Sequence, residues 1–226
     1  MHPTGLYFIE QYGDVMQVNK LQTLKDKLME SAGLVQQMLK LAIIAETPRD
    51  NFEQVRVMED QVNSLENEID AMAINLIALY QPEAGSLRRI VMMYRINVDL
   101  ERLGDQAFNI AESAQKVPGY QITEPQIFRM QEATTQMLDD AINAFLNEDV
   151  SAAEGVCAND HIVDDLNREI YHLVIAHIQE DPQNTSRYLH LLRIAKNLER
   201  CADLATNIAE NTVYLVRGRI IRHQPE

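Results

Sequence analysis

Glu101 and Asp105 stand four residues apart, and Glu199 and Asp203 repeat the pair 98 residues later. On a helix, residues i and i+4 share a face one turn apart, so each pair would set two carboxylates side by side. Like charges at that spacing repel by about 0.2–0.5 kcal/mol, and a repulsion kept twice invites a compensating cation. Hard ions such as Mg²⁺, Mn²⁺ and ferric iron take carboxylate oxygens. Glu112 and Glu210 extend the same faces. The competing reading is a row of solvated acids one position past an apolar seam, with Arg102 or Arg200 as partners.

Weaker candidates precede these pairs. Asp160 and Asp164 are again i and i+4, and an approximate offset of 101 residues carries them back to Glu59 and Asn63. Asn63 can coordinate through its amide oxygen but carries no charge, which predicts a weaker or differently built cluster in the first half. Glu66 and Asp70 form one more such pair and read as solvated. His161, His172, His177 and His190 share no spacing and read as structural. Glu169 and His172 fit the Glu-x-x-His pattern of ferritin-like di-iron proteins, but that fold needs two such motifs and the chain has one. No phosphate-binding glycine loop, nucleophile elbow, H-E-x-x-H or kinase motif set occurs, so catalysis is the least expected class.

Helices must position these acids. Ile96, Leu100, Leu103, Ala107, Ile110 and Ala114 follow the 4, 3, 4, 3, 4 spacing of a bundle seam. Ile194, Leu198, Cys201, Ala205, Ile208 and Thr212 repeat it 98 positions later. Without gaps, LERLGDQAFNIAE (100–112) aligns with LERCADLATNIAE (198–210), nine of thirteen positions being identical. The chain therefore reads as a tandem repeat. Seam packing alone would require only the apolar positions to agree, so polar residues are also held in place. Thr47-Pro48, Gln81-Pro82, Thr123-Glu124-Pro125 and Asp181-Pro182 are helix starts, Ser151 to Glu154 has capping-box spacing, and Val117-Pro118-Gly119 parts the halves.

The spacing predicts six helices near 18–46, 51–80, 83–116, 123–147, 152–179 and 183–219. The fold class is all-α, two tandem three-helix bundles over 18–117 and 120–219, flanked by an N-terminal extension at 1–17 and a tail at 220–226. A helix of about 30 residues runs about 45 Å, which suits elongated bundles. Met92, Met93 and Tyr94 read as core, with a partner groove as the alternative. The stretch 216–223 is locally basic.

With 20 Lys and Arg against 34 Asp and Glu, the formal charge is −14, which disfavours nucleic acid and anionic membrane surfaces. Cys157 and Cys201 match no zinc or redox spacing, no charged leader precedes an apolar run, and no uncharged stretch nears the roughly 18 residues of a membrane span. These features predict a soluble cytoplasmic protein.

At the repeated LERLGD…NIAE and LERCAD…NIAE blocks the sequence resembles the PhoU family of accessory regulators of phosphate-specific transport. The likeness takes in Gln81-Pro82 followed by Leu87-Arg88-Arg89-Ile90-Val91, then Arg187-Tyr188-Leu189 and Val213 to Gly218, and covers roughly residues 18–219. It implies paired three-helix bundles, often dimeric, whose E(D)-x-x-x-D motifs hold metal ions; iron, zinc, manganese and magnesium are the ions in view. By position, Glu101 with Asp105, Glu199 with Asp203, and Asp160 with Asp164 match those motifs, with Glu59 the first-half companion. Gln106 and Leu204 stand where the family often has His, and Asn63 where an acid is expected. The resemblance further implies an adaptor in the cytoplasm, between the ATPase subunit of the phosphate ABC transporter and the phosphate-sensing histidine kinase. Such a protein restrains the phosphate-starvation response and meets the membrane only through its partners. A purely structural scaffold, or a metal protein tied to another transporter, is the alternative; a carboxylate-metal enzyme ranks last.

Overall fold

A computed structural model describes residues 4–43, 48–117 and 122–218. Its helices are α1 (Thr4–Leu41), α2 (Pro48–Tyr80), α3 (Ala84–Gln115), α4 (Pro125–Asn147), α5 (Val150–Glu180) and α6 (Thr185–Arg217), with a short 3₁₀ turn at Pro182–Asn184 before the last. Five of the expected helices are matched within a few residues at each described end. The first differs, because α1 begins at Thr4, well ahead of position 18. The apolar residues Leu6, Tyr7, Phe8, Ile9, Tyr12, Val15 and Met16 are too dense to resolve into a stripe, so the pattern alone gave no helix there. The predicted cap Thr47, the break at Pro118-Gly119 and the tail 220–226 lie outside the described residues.

The helix ends show what starts and stops each element. Pro125 occupies the first turn of α4, where its missing N–H costs nothing. Gln81 takes a left-handed φ of 45° to turn the chain into α3. The start of α5 corrects the sequence reading: the cap is not Ser151 but Asp149, whose Oδ1 accepts from the Ala152 N–H at 3.0 Å. Gly218, at φ 65°, ends α6 in the left-handed conformation that favours glycine.

α1, α2 and α3 pack as one bundle, α4, α5 and α6 as another, and α3 lies along α6 between them. This is the expected all-α pair of tandem three-helix bundles. Low-numbered residues of α3 meet high-numbered ones of α6: Arg88 Nη1 donates to the Leu215 carbonyl at 3.4 Å, Asn211 Nδ2 to Asp99 Oδ2 at 3.4 Å, and Arg193 pairs with Glu112 at 3.5 Å. The two helices are therefore antiparallel. α1 touches α4 as well, where Gln131 Nε2 donates to the Leu39 carbonyl at 2.6 Å.

The predicted seams are the core. Ile96, Leu100, Leu103, Ala107 and Ile110 are fully buried, as are all six of their α6 counterparts; Ala114 packs at the edge. Met92 and Met93 are buried with them, which makes them core, while Tyr94 is exposed. Among the described residues no helix is long and apolar enough to cross a membrane.

The capping geometry makes a direct prediction. Replacing Asp149 by Ala should cost about 1 kcal/mol, a fall of about 3 °C in melting temperature for a chain of this size. Ser151→Ala should move it by less than about 0.5 kcal/mol. Thermal melts of the two variants check this, and equal losses would return the cap to the Ser151 motif.

Candidate functional site

In the second bundle, α5 brings Asp160 and Asp164 against Glu199 and Asp203 on α6. Burial pushes the Asp160 carboxyl above its ordinary range, and Asp164, Asp203 and Glu199 push it further; His161 opposes. Asp203 is raised in the same way, by burial first, then by Glu199 and Asp164, against Lys196 and Arg200. The four predicted acids of this half thus share one electrostatic environment in the α5–α6 groove. Lys196 pairs with Glu199 along the same helix, a local ion pair that leaves Asp160 and Asp164 across the groove.

The first bundle repeats the arrangement with one exchange. Glu59 and Asn63 on α2 face Glu101 and Asp105 on α3, and the Asn63 amide donates to Glu59 Oε1 at 2.7 Å. Burial raises Glu101, and Asp105, Glu66 and Glu59 raise it more; Arg102 opposes. Glu66 was read from sequence as solvated, yet it acts on Glu101 ahead of Glu59. The offset of 101 that carries Asn63 onto Asp164 carries Glu66 onto Asn167. Acid and amide have traded places on one helix face, and each groove carries four carboxylates. The offset pairs Glu66 with an amide, so spacing alone did not mark it.

Other flagged residues lie elsewhere. Glu112 binds Lys116 at 3.0 Å and Arg193 at 3.5 Å, so it bridges α3 and α6 rather than extending the groove. Glu210 sits near Cys157, whose thiol burial pushes up to about 11 with help from Glu210 and Asp160. Cys201 is raised further by complete burial. Neither thiol is poised to act as a thiolate ligand or nucleophile. Glu169 is engaged by Gln126 at 2.9 Å and by Arg129 at 4.0 Å, and His177 stacks on Tyr188 at 5.3 Å. Glu169 and His177 are thus held by structural contacts, as are His172, edge-on to Tyr171, and His161, whose Nδ1 lies 2.7 Å from the Ala158 carbonyl.

All-oxygen, mutually repelling donor sets of this kind fit hard cations. The rise in Glu101, Asp160 and Asp203 comes first from burial, and the neighbouring acids add to it. Among the described residues, however, no three His, Cys, Asp or Glu side chains converge closely enough to hold one ion. The grooves supply ligands and charge without a preformed cage.

These features define a duplicated helical-bundle protein with an acidic groove in each repeat. The PhoU domain model matches the chain twice, over residues 28–114 and 127–212, and the chain belongs to the PhoU family. It is 37% identical over 209 residues to the phosphate-specific transport system accessory protein PhoU homologue of Aquifex aeolicus, covering 91% of this chain and 95% of that one. The Pseudomonas aeruginosa homologue is 32% identical, over 90% of this chain and 86% of its own. The crystal structure of PhoU from P. aeruginosa superposes with a TM-score of 0.82 at 31% identity, covering 89% and 99% of the two chains. That of the phosphate transport system regulatory protein PhoU from Streptococcus pneumoniae gives 0.83 at 25% identity, covering 91% and 99%. The family is one of accessory proteins of phosphate transport systems.

Carboxyls raised on folding set the sign of a pH effect. Asp203 holds its proton more tightly folded than unfolded, so its favourable contribution is present at low pH and lost as pH rises through its folded value. At neutral pH the ionised groove opposes folding. Asp203→Asn in chelator-treated protein should therefore raise stability at pH 7 by about 0.3 kcal/mol, or about 1 °C, and the gain should vanish as pH falls below the ordinary aspartate range. Melting curves across pH read this directly; a lower melting temperature at pH 7 would mean that Lys196 and Arg200 already satisfy the carboxylate.

Proposed function

We propose that this chain is a regulator of phosphate uptake and of the phosphate-starvation response. It acts in the cytoplasm as an adaptor between the ATPase subunit of a phosphate ABC transporter and a phosphate-sensing histidine kinase. The observation that carries the reading is the doubled acidic groove within a doubled PhoU domain. Long helices present extended faces to large partners. No glycine loop or nucleophile elbow adds a catalytic centre to them.

Glu59, Glu66, Glu101 and Asp105 would hold metal in the first groove, and Asp160, Asp164, Glu199 and Asp203 in the second. A bound cation supplies the positive charge that the grooves lack. Relieving the repulsion among these carboxylates would draw α2 towards α3 and α5 towards α6 and so fix the bundle geometry. Iron, zinc, manganese and magnesium are the ions to test. A homodimer would present the adaptor faces in pairs.

Elemental analysis of tag-free protein that has never met chelator tests the metal part, beside a variant carrying Glu101→Ala, Asp105→Ala, Glu199→Ala and Asp203→Ala. The expected result is stoichiometric metal in the native chain and its loss in the variant, together with co-elution of the native chain with the transporter ATPase subunit. Metal-free native protein would leave the grooves as solvated faces; failure to bind either the ATPase subunit or the kinase would remove the adaptor role.

A further inference from the structure

The two repeats part company at one end of the molecule. An offset of 99 residues carries α1 onto α4, and burial agrees: Leu28, Met38, Leu39, Ala42 and Ile43 are buried, and so are Ile127, Met137, Leu138, Ala141 and Ile142. By this offset Lys25 corresponds to Glu124, and by the 98-residue offset of the last helices Arg89 corresponds to Arg187. In the second repeat the two equivalents close on each other, Arg187 Nη2 binding Glu124 Oε1 at 2.8 Å with Glu124 buried. In the first repeat the acid is replaced by a lysine, and two cations face the same space.

That space is a cavity of about 260 Å³ lined by Val18, Leu21, Gln22, Lys25, Arg89, Met93, Phe145, Glu148 and Leu215. Its walls are largely apolar, and helices of both repeats contribute to them. Lys25 Nζ has a long contact, 3.5 Å, to the Leu146 carbonyl. Arg89 binds Glu148 at 3.1 and 3.2 Å, but both side chains are nearly half exposed, and such pairs are worth about 1 kcal/mol or less. Among the described residues, an entering anion would therefore meet one cation held only by a carbonyl and a second held by an exchangeable partner. In a chain of net charge −14 an apolar hollow with a cationic mouth is a local exception.

We propose that this cavity binds a small organic anion, with a carboxylate or phosphate monoester head on Lys25 and Arg89 and a short apolar body against Leu21, Met93, Phe145 and Leu215. Its volume falls just under the roughly 300–1,000 Å³ of drug-sized sites, which limits the occupant to a compact molecule. Because α1, α3, α4 and α6 all reach the wall, the occupant would bridge the two bundles. The site is separate from the acidic grooves, so it stands or falls independently of metal binding there.

The test is titration of the full chain, labelled at its methionine methyls, with octanoate, octyl phosphate, octanol and inorganic phosphate. One or both amphiphiles should shift the Met93 methyl and bind about tenfold more tightly than octanol, and the tighter of the two identifies the head group. Lys25→Met, which keeps the stem and removes the charge, should weaken binding about tenfold, and Lys25→Glu, which restores the acid of the other repeat opposite Arg89, should abolish it. Unchanged melting temperatures would place both losses at the site. Equal binding of octanol, an unaffected Lys25→Met variant, inorganic phosphate binding as tightly as octyl phosphate, or no shift at Met93 at millimolar ligand would each overturn the proposal.

Discussion

The contact between α3 and α6 joins the two bundles, and it is polar as well as buried. Asp99 and Asn211 meet there, and the repeat offset maps them onto Asn197 and Ser113, which are buried too. A buried polar group without a partner costs about 1–3 kcal/mol, so a slip of one turn that parts Asn211 from Asp99 would be penalised. An apolar interface would have tolerated sliding far better. The polar stripe fixes register, and register in turn decides that Arg193 meets Glu112 and that Arg88 lies under Gly218.

Once α3 and α6 are fixed on both sides, the acids next to their seams have little choice of environment. Glu101 follows Leu100, and Glu199 follows Leu198; both leucines are fully buried. One helical position rotates a side chain by about 100°, which brings these carboxylates out of the core and into the groove beside α2 or α5. There they are half-buried and near other acids, and for Glu101 burial, Asp105 and Glu66 together raise the carboxyl. The same packing that stabilises the bundles thus concentrates charge at a cost, and the cost is available to any cation that relieves it.

How much of this was legible in the sequence follows from which signals are local. Ile96 to Ala114 and their counterparts declared the helices and the duplication because seam periodicity is a property of neighbouring residues. The acids of α3, α5 and α6 could be paired by spacing and offset. Glu66 was missed because its pair with Asp70 looked like a solvated face, and only the packing of α2 on α3 shows that it reaches Glu101. The early start of α1 was hidden by apolar residues too dense to show a stripe. Asp149 was passed over because the Ser151 to Glu154 spacing imitates a cap two residues along, and the deciding fact is a single bond to the Ala152 N–H.

Duplication also separates departures that are compensated from those that are not. When Asn63 takes the place of Asp164, Glu66 takes the place of Asn167, and the carboxylate count of the groove is unchanged. Two opposite exchanges on one face keep the groove's charge, as expected if total charge matters more than the identity of any one ligand. Lys25 in place of Glu124 is a different case: Arg89 keeps its charge, loses the acid of the other repeat and pairs instead with Glu148. Glu124 is buried, so removing either partner of its pair with Arg187 would leave an uncompensated charge, whereas the half-exposed Arg89–Glu148 pair contributes little. The exchange is therefore costly in the second repeat and cheap in the first. What it changes is the character of the end it occupies, from a closed pair at Glu124 and Arg187 to a cavity with two cations at its mouth. A duplicated framework can hold its shape through either arrangement, which leaves the unmatched end free to take on a ligand the matched end would refuse.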